Sequence, residues 1–139
     1  MNSAYFGALD LADPNKILIV DDAADFCESL KWLLDHDGYD CTVAANGQIA
    51  IDFLANHETH LILLDWEMPV MNGSEFLNNR NHRAALRKIP VIVISGAFQI
   101  ERAVTKLGAT FLQKPVDYAR LLGAIGAVLS AAVNKVPHP

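Results

Sequence analysis

The stretch that decides the fold is Leu61-Ile62-Leu63-Leu64-Asp65-Trp66-Glu67-Met68-Pro69. Its four consecutive aliphatic residues predict a strand that is buried on both faces, as in a parallel sheet covered by helices. The strand ends at a carboxylate, and Pro69 and Asn72-Gly73 then turn the chain into a loop. In an open parallel sheet, reaction sites lie beyond the carboxyl ends of the strands. Asp65 is therefore a candidate site residue; the alternative is a polar residue that satisfies the turn or caps the next helix.

Outward from this stretch, strand and helix patterns alternate five times with short connections. The strands are predicted at 16–20, 41–45, 61–65, 90–94 and 109–113. Apolar residues at helical spacing predict a helix after each strand, the third over 74–86 and the last over about 116–132. This alternation predicts an α/β fold, a doubly wound five-stranded parallel sheet of order 2-1-3-4-5 with five helices on its two faces.

The length of 139 residues predicts one domain with a single core. We expect an N-terminal extension over 1–14, the folded domain over 15–135 and a short tail over 136–139. In the first helix, an apolar stripe leaves Trp32 partly exposed. The residues of that stripe are Phe26, Leu30, Leu33 and Leu34.

Composition and charge exclude several classes of protein. The net charge of −5 argues against a nucleic-acid surface. The longest nearly apolar run, 121–133, is shorter than the roughly 20 residues that a membrane span needs. The start of the chain has no basic region and carries Asp10, unlike a signal peptide. Cys27 and Cys41 are too few for a disulfide framework and predict buried free thiols. We expect a cytoplasmic protein that binds neither nucleic acid nor membrane.

Reactive side chains follow four of the five predicted strands. Asp21-Asp22 follows the first strand, Asp65 the third, Ser95 the fourth and Lys114 the fifth. Because the switch point of this sheet lies between strands one and three, the three carboxylates are expected to converge. Such a cluster is tolerated if a divalent cation lies within it, if one member is protonated, or if Lys114 neutralises part of the charge. Ligands that are all oxygen favour a hard ion, first Mg²⁺ and then Mn²⁺.

Together these groups can hold a phosphoryl group. A metal ion and Lys114 would neutralise phosphoryl oxygens, Ser95 would donate a hydrogen bond, and Asp65 would remain as the oxygen nucleophile. Taken singly, a Ser before Gly is usually a turn residue and a Lys before Pro is usually exposed. The prediction depends on the whole set, in this order and on this topology.

At these residues the sequence resembles the receiver domain of two-component response regulators, over about residues 16–132. The resemblance implies that Asp65 is the phospho-acceptor. It implies that Asp21 and Asp22 bind Mg²⁺ together with Asp65 and the backbone carbonyl of Glu67.

The same resemblance implies roles for residues around the acceptor. Ser95 and Lys114 would contact the phosphoryl group, and Phe111 would be the aromatic switch residue that moves inward when Ser95 is drawn to that group. An ordinary aromatic residue of strand five is the alternative for Phe111. Glu67 and Ala97 occupy the positions that influence the lifetime of the acyl phosphate.

The resemblance also implies the reaction and the partners. A sensor histidine kinase or a histidine phosphotransfer protein would donate the phosphoryl group in a phosphorelay, and the acyl phosphate would later hydrolyse. The chain would catalyse only its own phosphotransfer and dephosphorylation, and would not be an enzyme with a separate substrate. Its own histidines are expected on the surface or in loops. They are His36, His57, His60, His82 and His138. We expect a stand-alone receiver, because one helix and a tail follow Lys114.

The predicted outer face of the last helix is poor in charge, and Arg120 is its one charged residue. The other residues of that face are Ala119, Gly123, Ala127, Ser130 and Ala131. A solvated helix normally carries more charge, and two glycines cost about 1 kcal/mol each in helix propensity. Phe98 is also expected off the inward stripe of its helix. We expect the face of the fourth helix, fifth strand and last helix to bind a downstream target or a second copy; an alanine-rich surface is the alternative.

Other functions remain open for the same fold. A flavodoxin-like FMN-binding module needs Ser, Thr or Gly amides at the first turn, whereas Asp21-Asp22-Ala23 would repel a phosphate without a metal. An aspartyl-phosphate hydrolase generally places nucleophile and acid two residues apart after strand one, and the two acids here are adjacent. A same-fold binding module that is no longer phosphorylated is a third alternative.

Overall fold

The computed structural model of the chain describes residues 14–134. Within these residues, five strands alternate with five helices, as predicted. In chain order they are β1 (Lys16–Val20), α1 (Ala24–His36), β2 (Asp40–Ala44), α2 (Gly47–Leu54), β3 (Leu61–Leu64), α3 (Gly73–Asn81), β4 (Val91–Ser95), α4 (Glu101–Lys106), β5 (Thr110–Gln113) and α5 (Tyr118–Asn134). Within the described range, no helix has the length and hydropathy that crossing a bilayer requires. The predicted extension, apart from Pro14, and the predicted tail lie outside the described residues.

The strands form one parallel sheet of order β2-β1-β3-β4-β5, which confirms the predicted topology. β1 pairs with β2 on one side and with β3 on the other. The ladders continue one residue past the strands, because the Asp21 N–H donates to the Ala44 carbonyl at 3.1 Å and the Asp65 N–H donates to the Val20 carbonyl at 2.8 Å. Both acids are thereby fixed at the same edge of the sheet.

Side chains of the sheet alternate between two buried clusters. One cluster joins alternate strand residues to α2, α3 and α4 through residues such as Ile51, Phe76 and Val104. The other joins the remaining strand residues to α1 and α5, through Leu34 and Ile125 among others. All four residues of β3 are buried, so the aliphatic run is a strand covered on both faces.

The exposure of α1 follows the predicted stripe except at one position. Cys27, Leu30 and Leu34 are buried, and Trp32 is 66% exposed, as expected. Leu33 is 37% exposed, so its placement on the inward stripe was wrong. With about 3.6 residues per turn, Leu33 projects to the side of the face that Cys27, Leu30 and Leu34 define.

Cys27 and Cys41 are buried free thiols, as predicted. Cys27 donates its thiol hydrogen to the backbone carbonyl of Asp21, with an S···O distance of 3.2 Å. Burial raises the pKa of Cys27 to about 11 and the pKa of Cys41 to about 12. Both side chains therefore remain thiols at neutral pH.

The third helix ends at Asn81, five residues before the predicted end at residue 86. The reason is Arg80, whose buried guanidinium donates to the Ile89 carbonyl through Nη2 at 2.6 Å and Nε at 3.2 Å. Asn81 in turn donates to the Leu107 carbonyl at 3.0 Å. These bonds hold the turns of 82–89 against the helix end. Leu86 is still buried, which is why its spacing matched a helix.

Candidate functional site

Three carboxylates meet beyond the carboxyl ends of β1 and β3. One oxygen from each of Asp21, Asp22 and Asp65 lies within 4.8 Å of the others. Asp21 is buried, Asp65 is partly buried and Asp22 is exposed. The sheet therefore brings together the three acids that the sequence predicted as metal ligands.

Asp21 is the anchored member of this cluster. Its Oδ1 accepts a hydrogen bond from the Ala23 N–H at 2.9 Å, and its Oδ2 lies 3.2 Å from Nζ of Lys114. Asp21 is only 4% exposed. Because both carboxylate oxygens also have partners, the side chain is held in one orientation.

Lys114 brings a positive charge to the acids from the end of β5, an edge strand of the sheet. The residue follows β5, and its backbone N–H donates to the Ser95 carbonyl at 2.9 Å, which continues the β4–β5 ladder. Besides its ion pair with Asp21, its Nζ lies 4.3 Å from the centroid of the Phe26 ring, in cation–π geometry. The ammonium offsets one of the three negative charges, so the pocket keeps an excess of acid.

The excess of negative charge affects the pKa of Asp65, the candidate phospho-acceptor. Burial, and after it the negative charge of Asp21, raise the pKa of Asp65 above its ordinary value. Lys114 and the backbone N–H groups of Glu67 and Trp66 act in the opposite direction. A divalent cation would relieve the remaining repulsion, and the all-oxygen donor set fits a hard ion such as Mg²⁺.

The loop after β3 is shaped around Asp65 by a glycine. The Gly73 N–H donates to the Trp66 carbonyl at 2.8 Å. A Cβ atom at Gly73 would lie 2.8 Å from both the Asp65 carbonyl oxygen and the Trp66 Cα, closer than backbone atoms allow. Asn72 and Glu75 then start α3 with a capping box. The sequence indicated a turn at Asn72-Gly73 but not this close approach to Asp65.

The tip of the same loop is strained. The Met71 N–H donates to the Pro69 carbonyl at 2.7 Å, which closes a three-residue γ-turn around Val70. Val70 has φ of +70° and a side chain that is 78% exposed. A positive φ is rare for a β-branched residue, so this backbone conformation has a steric cost.

Ser95 ends β4, and Phe111 lies in β5, the strand that precedes Lys114. Ser95 is 1% exposed at the end of β4, and its hydroxyl oxygen accepts from the Ala97 N–H at 3.1 Å. Phe111 is half-buried in β5 and packs against the cluster on the side of α2, α3 and α4. That position is compatible with either of the roles predicted for it. The Glu67 side chain is exposed.

The contact between Phe26 and Lys114 was not predicted from the sequence. The helical pattern placed it on the apolar stripe of α1, and it does pack against the core. Its ring also lies beneath the Lys114 ammonium. Nothing in local spacing connects an aromatic residue after β1 with a lysine after β5, because only the sheet brings them together.

The small residues predicted on the outer face of α5 are exposed, as is Arg120. These residues are Ala119, Gly123, Ala127, Ser130 and Ala131. Phe98 is 83% exposed, but it lies in the loop before α4 and not in that helix. Three predicted surface histidines, His36, His57 and His82, are exposed. His60 is half-buried in the loop before β3, where its Nδ1 accepts from the Lys16 N–H at 3.1 Å. His138 lies outside the described residues.

Comparison with known proteins identifies relatives that agree with one another. The family model "Response regulator receiver domain" matches residues 17–126. Response regulator MprA of Mycobacterium sp. (strain KMS) is 32% identical over 119 residues, which cover 84% of this chain and 51% of that protein. Transcriptional regulatory protein CpxR of Escherichia coli (strain K12) is 36% identical over 121 residues, which cover 83% of this chain and 49% of that protein. The chain thus spans about half the length of these relatives.

A solved structure extends the likeness to three dimensions. The CheY-like response regulator receiver domain protein from Methanospirillum hungatei JF-1 superposes with a TM-score of 0.81 at 28% identity. The match covers 88% of this chain and 99% of that one.

Proposed function

The chain belongs to the family of response regulator receiver domains, and from that premise we propose that it takes a phosphoryl group from a phosphohistidine donor onto Asp65. The observation that supports this most directly is the cluster of Asp21, Asp22 and Asp65 with the Lys114 ammonium 3.2 Å from Asp21. The FMN-binding module gains no support, since two acids at the first turn would repel its phosphate, and the hydrolase gains none, since Asp21 and Asp22 are adjacent and not two residues apart.

The metal site of this proposal uses oxygen ligands only. Asp21, Asp22, Asp65 and the backbone carbonyl of Glu67 would hold Mg²⁺, with Mn²⁺ as the second candidate. When bound, the ion supplies positive charge for the phosphoryl oxygens. Asp21 is oriented for this role by its bonds to Ala23 and Lys114, whereas the exposed Asp22 is open to an ion that arrives from solvent.

The protein's own side chains carry the transfer. A carboxylate oxygen of Asp65 forms a bond to phosphorus while the bond from the donor imidazole nitrogen breaks, and that nitrogen keeps the electron pair. The Lys114 ammonium neutralises a phosphoryl oxygen, and the Ser95 hydroxyl donates a hydrogen bond to another. Attack by water later releases phosphate and restores Asp65. The chain acts on its own aspartyl phosphate and needs no separate substrate.

The proposed partners follow from this reaction. The donor is a sensor histidine kinase or a histidine phosphotransfer protein, and the setting is the cytoplasm. The output is a surface that changes on phosphorylation, with Ser95 and Phe111 as the switch residues. We assign the downstream target to the face of α4, β5 and α5, whose exposed residues include Phe98 beside α4 and the small residues of α5. Nucleic acid and membrane are not among the proposed partners.

Acetyl phosphate with Mg²⁺, followed by intact mass measurement, tests the acceptor. We expect the wild type to gain one phosphoryl group and Asp65→Asn to gain none. Asp52→Asn, which changes an exposed acid on α2, should still gain it. Asp22→Ala should require more Mg²⁺, and Lys114→Ala should impair signalling even where some phosphorylation survives. Full mass gain by Asp65→Asn would refute the assignment.

The docking face has its own test. Ala127→Glu adds a charge to the exposed side of α5 and should weaken binding of a target or a second copy without lowering the unfolding temperature. Gln48→Glu adds the same charge on α2 and serves as the control. Sedimentation of the phosphorylated protein measures binding to a second copy, and titration measures binding to a target. Equal affinity of the two variants would remove this face from the proposal.

A further inference from the structure

Phe26 contacts the Lys114 ammonium through the face of its ring. It lies on the first turn of α1, and the ring centroid is 4.3 Å from Nζ, inside the roughly 6 Å reach of a cation–π contact. The same nitrogen lies 3.2 Å from Oδ2 of Asp21. The ring also packs against the buried cluster beneath α1 and α5, which fixes its place.

Phe26 also borders the acidic pocket. A cavity of about 10 Å³ is lined by residues from β1, β3, β4 and α1, among them Asp21, Phe26 and Asp65. That volume is at the lower limit for one water molecule. Phe26 therefore lines the same small space as the acceptor residue Asp65, in addition to its contact with Lys114.

We propose that Phe26 is a positioning residue for phosphoryl transfer and that its ring holds the Lys114 ammonium in place for the incoming phosphoryl group. This inference rests on the proposed function. A lysine ammonium on a flexible four-carbon stem is attracted by all three neighbouring carboxylates. Asp21 on one side and the face of the ring on another restrict the ammonium to one position. A ring face is needed for this, because an aliphatic side chain of similar volume has no negative face.

Trp66 provides the signal for the test. It follows Asp65 directly and is half-buried, whereas Trp32 is 66% exposed on α1 and would add background. The parent protein is therefore Trp32→Phe, on which Phe26→Leu, Phe26→Met and Phe26→Tyr are compared. Three quantities are measured: Mg²⁺ affinity from Trp66 fluorescence, affinity for beryllofluoride at saturating Mg²⁺, and the rate of mass gain with acetyl phosphate. Circular dichroism confirms that each variant is folded at the temperature used.

Mg²⁺ affinity should stay within about twofold of the parent in all variants, because the three acids are unchanged. Beryllofluoride, which imitates the phosphoryl group, should bind roughly tenfold more weakly to the Leu and Met variants, and their mass gain should slow by a similar factor. The Tyr variant keeps the ring face and should recover most of both.

A double-mutant cycle separates positioning from packing. On a Lys114→Ala background, Phe26→Leu should cause no further loss, because the ring acts through the ammonium. The inference is overturned if the Leu variant matches the parent, if the Tyr variant is as weak as the Leu variant, or if the loss persists without Lys114. If the parent itself neither gains mass nor binds beryllofluoride, the proposed function is refuted, and the inference falls with it.

Discussion

At the scale of single residues, Val70 carries a backbone conformation that its side chain does not favour. Val70→Gly and Val70→Ala remove the same exposed side chain, but only glycine adopts a φ near +70° without steric cost. We expect the Gly variant to be more stable than the Ala variant by about 1 kcal/mol in urea unfolding, the reverse of their order in a helix. Equal stability would mean that the γ-turn relaxes when the side chain is shortened.

Asp65 is expected to oppose folding while it is ionised. Its pKa is raised in the folded state by burial and by Asp21, so the folded protein binds this proton more tightly than the unfolded chain does. Stability is therefore lost as the pH rises from the ordinary pKa of 3.8 through the raised one, and the loss is complete above it.

Asp65→Asn should accordingly raise the free energy of unfolding near neutral pH, without divalent metal, by on the order of 1 kcal/mol. The gain should disappear as the pH falls below 3.8. Urea unfolding across this range measures both effects, with Asp52→Asn as the exposed control. A gain that is the same at every pH would show that repulsion is not its cause.

At the scale of elements, two Gly→Ala substitutions should have opposite signs. Gly73→Ala would force a Cβ against the backbone of Asp65 and Trp66, so we expect a loss of more than about 2 kcal/mol and slower phosphoryl uptake. Gly123→Ala, on the exposed side of α5 with open space around it, should gain about 1 kcal/mol from helix propensity. Thermal unfolding and mass gain with acetyl phosphate measure both. A neutral Gly73→Ala would contradict the close approach described for the loop.

The elements also show what the sequence could predict. The strands were predictable because runs such as Leu61–Leu64 are apolar throughout, and parallel pairing then placed Asp21 and Asp65 at one edge. The end of α3 was not predictable, because it depends on hydrogen bonds from Arg80 to the Ile89 carbonyl and from Asn81 to the Leu107 carbonyl. Such contacts join residues whose spacing along the chain carries no periodic signal.

At the scale of the whole molecule, Mg²⁺ should stabilise the fold. An ion that binds only the folded state adds about 2.7 kcal/mol at a hundred times its dissociation constant, so the unfolding temperature should rise by several degrees. Asp22→Ala should reduce that rise, and a chelator should reverse it. NaCl at equal ionic strength controls for screening. An equal rise with NaCl would contradict specific binding at the three carboxylates.

At this scale, the convergence of the three acids was predictable, whereas the contact between Lys114 and Phe26 was not. The strand order places the carboxyl ends of β1 and β3 side by side, so the acids had to converge once the topology was inferred. The approach of Lys114 to Phe26 depends on where the start of α1 and the end of β5 lie relative to each other. Only the assembled sheet decides that distance.

The burial of the two cysteine thiols has a practical consequence. Thiolate is the form that alkylating reagents attack, and Cys27 and Cys41 are both inside the fold with raised pKa values. Iodoacetamide should therefore modify only molecules that have opened, and counting modified protein over time would report how often the chain opens. A cysteine introduced on the surface could likewise be given a dye while the natural pair is left in place.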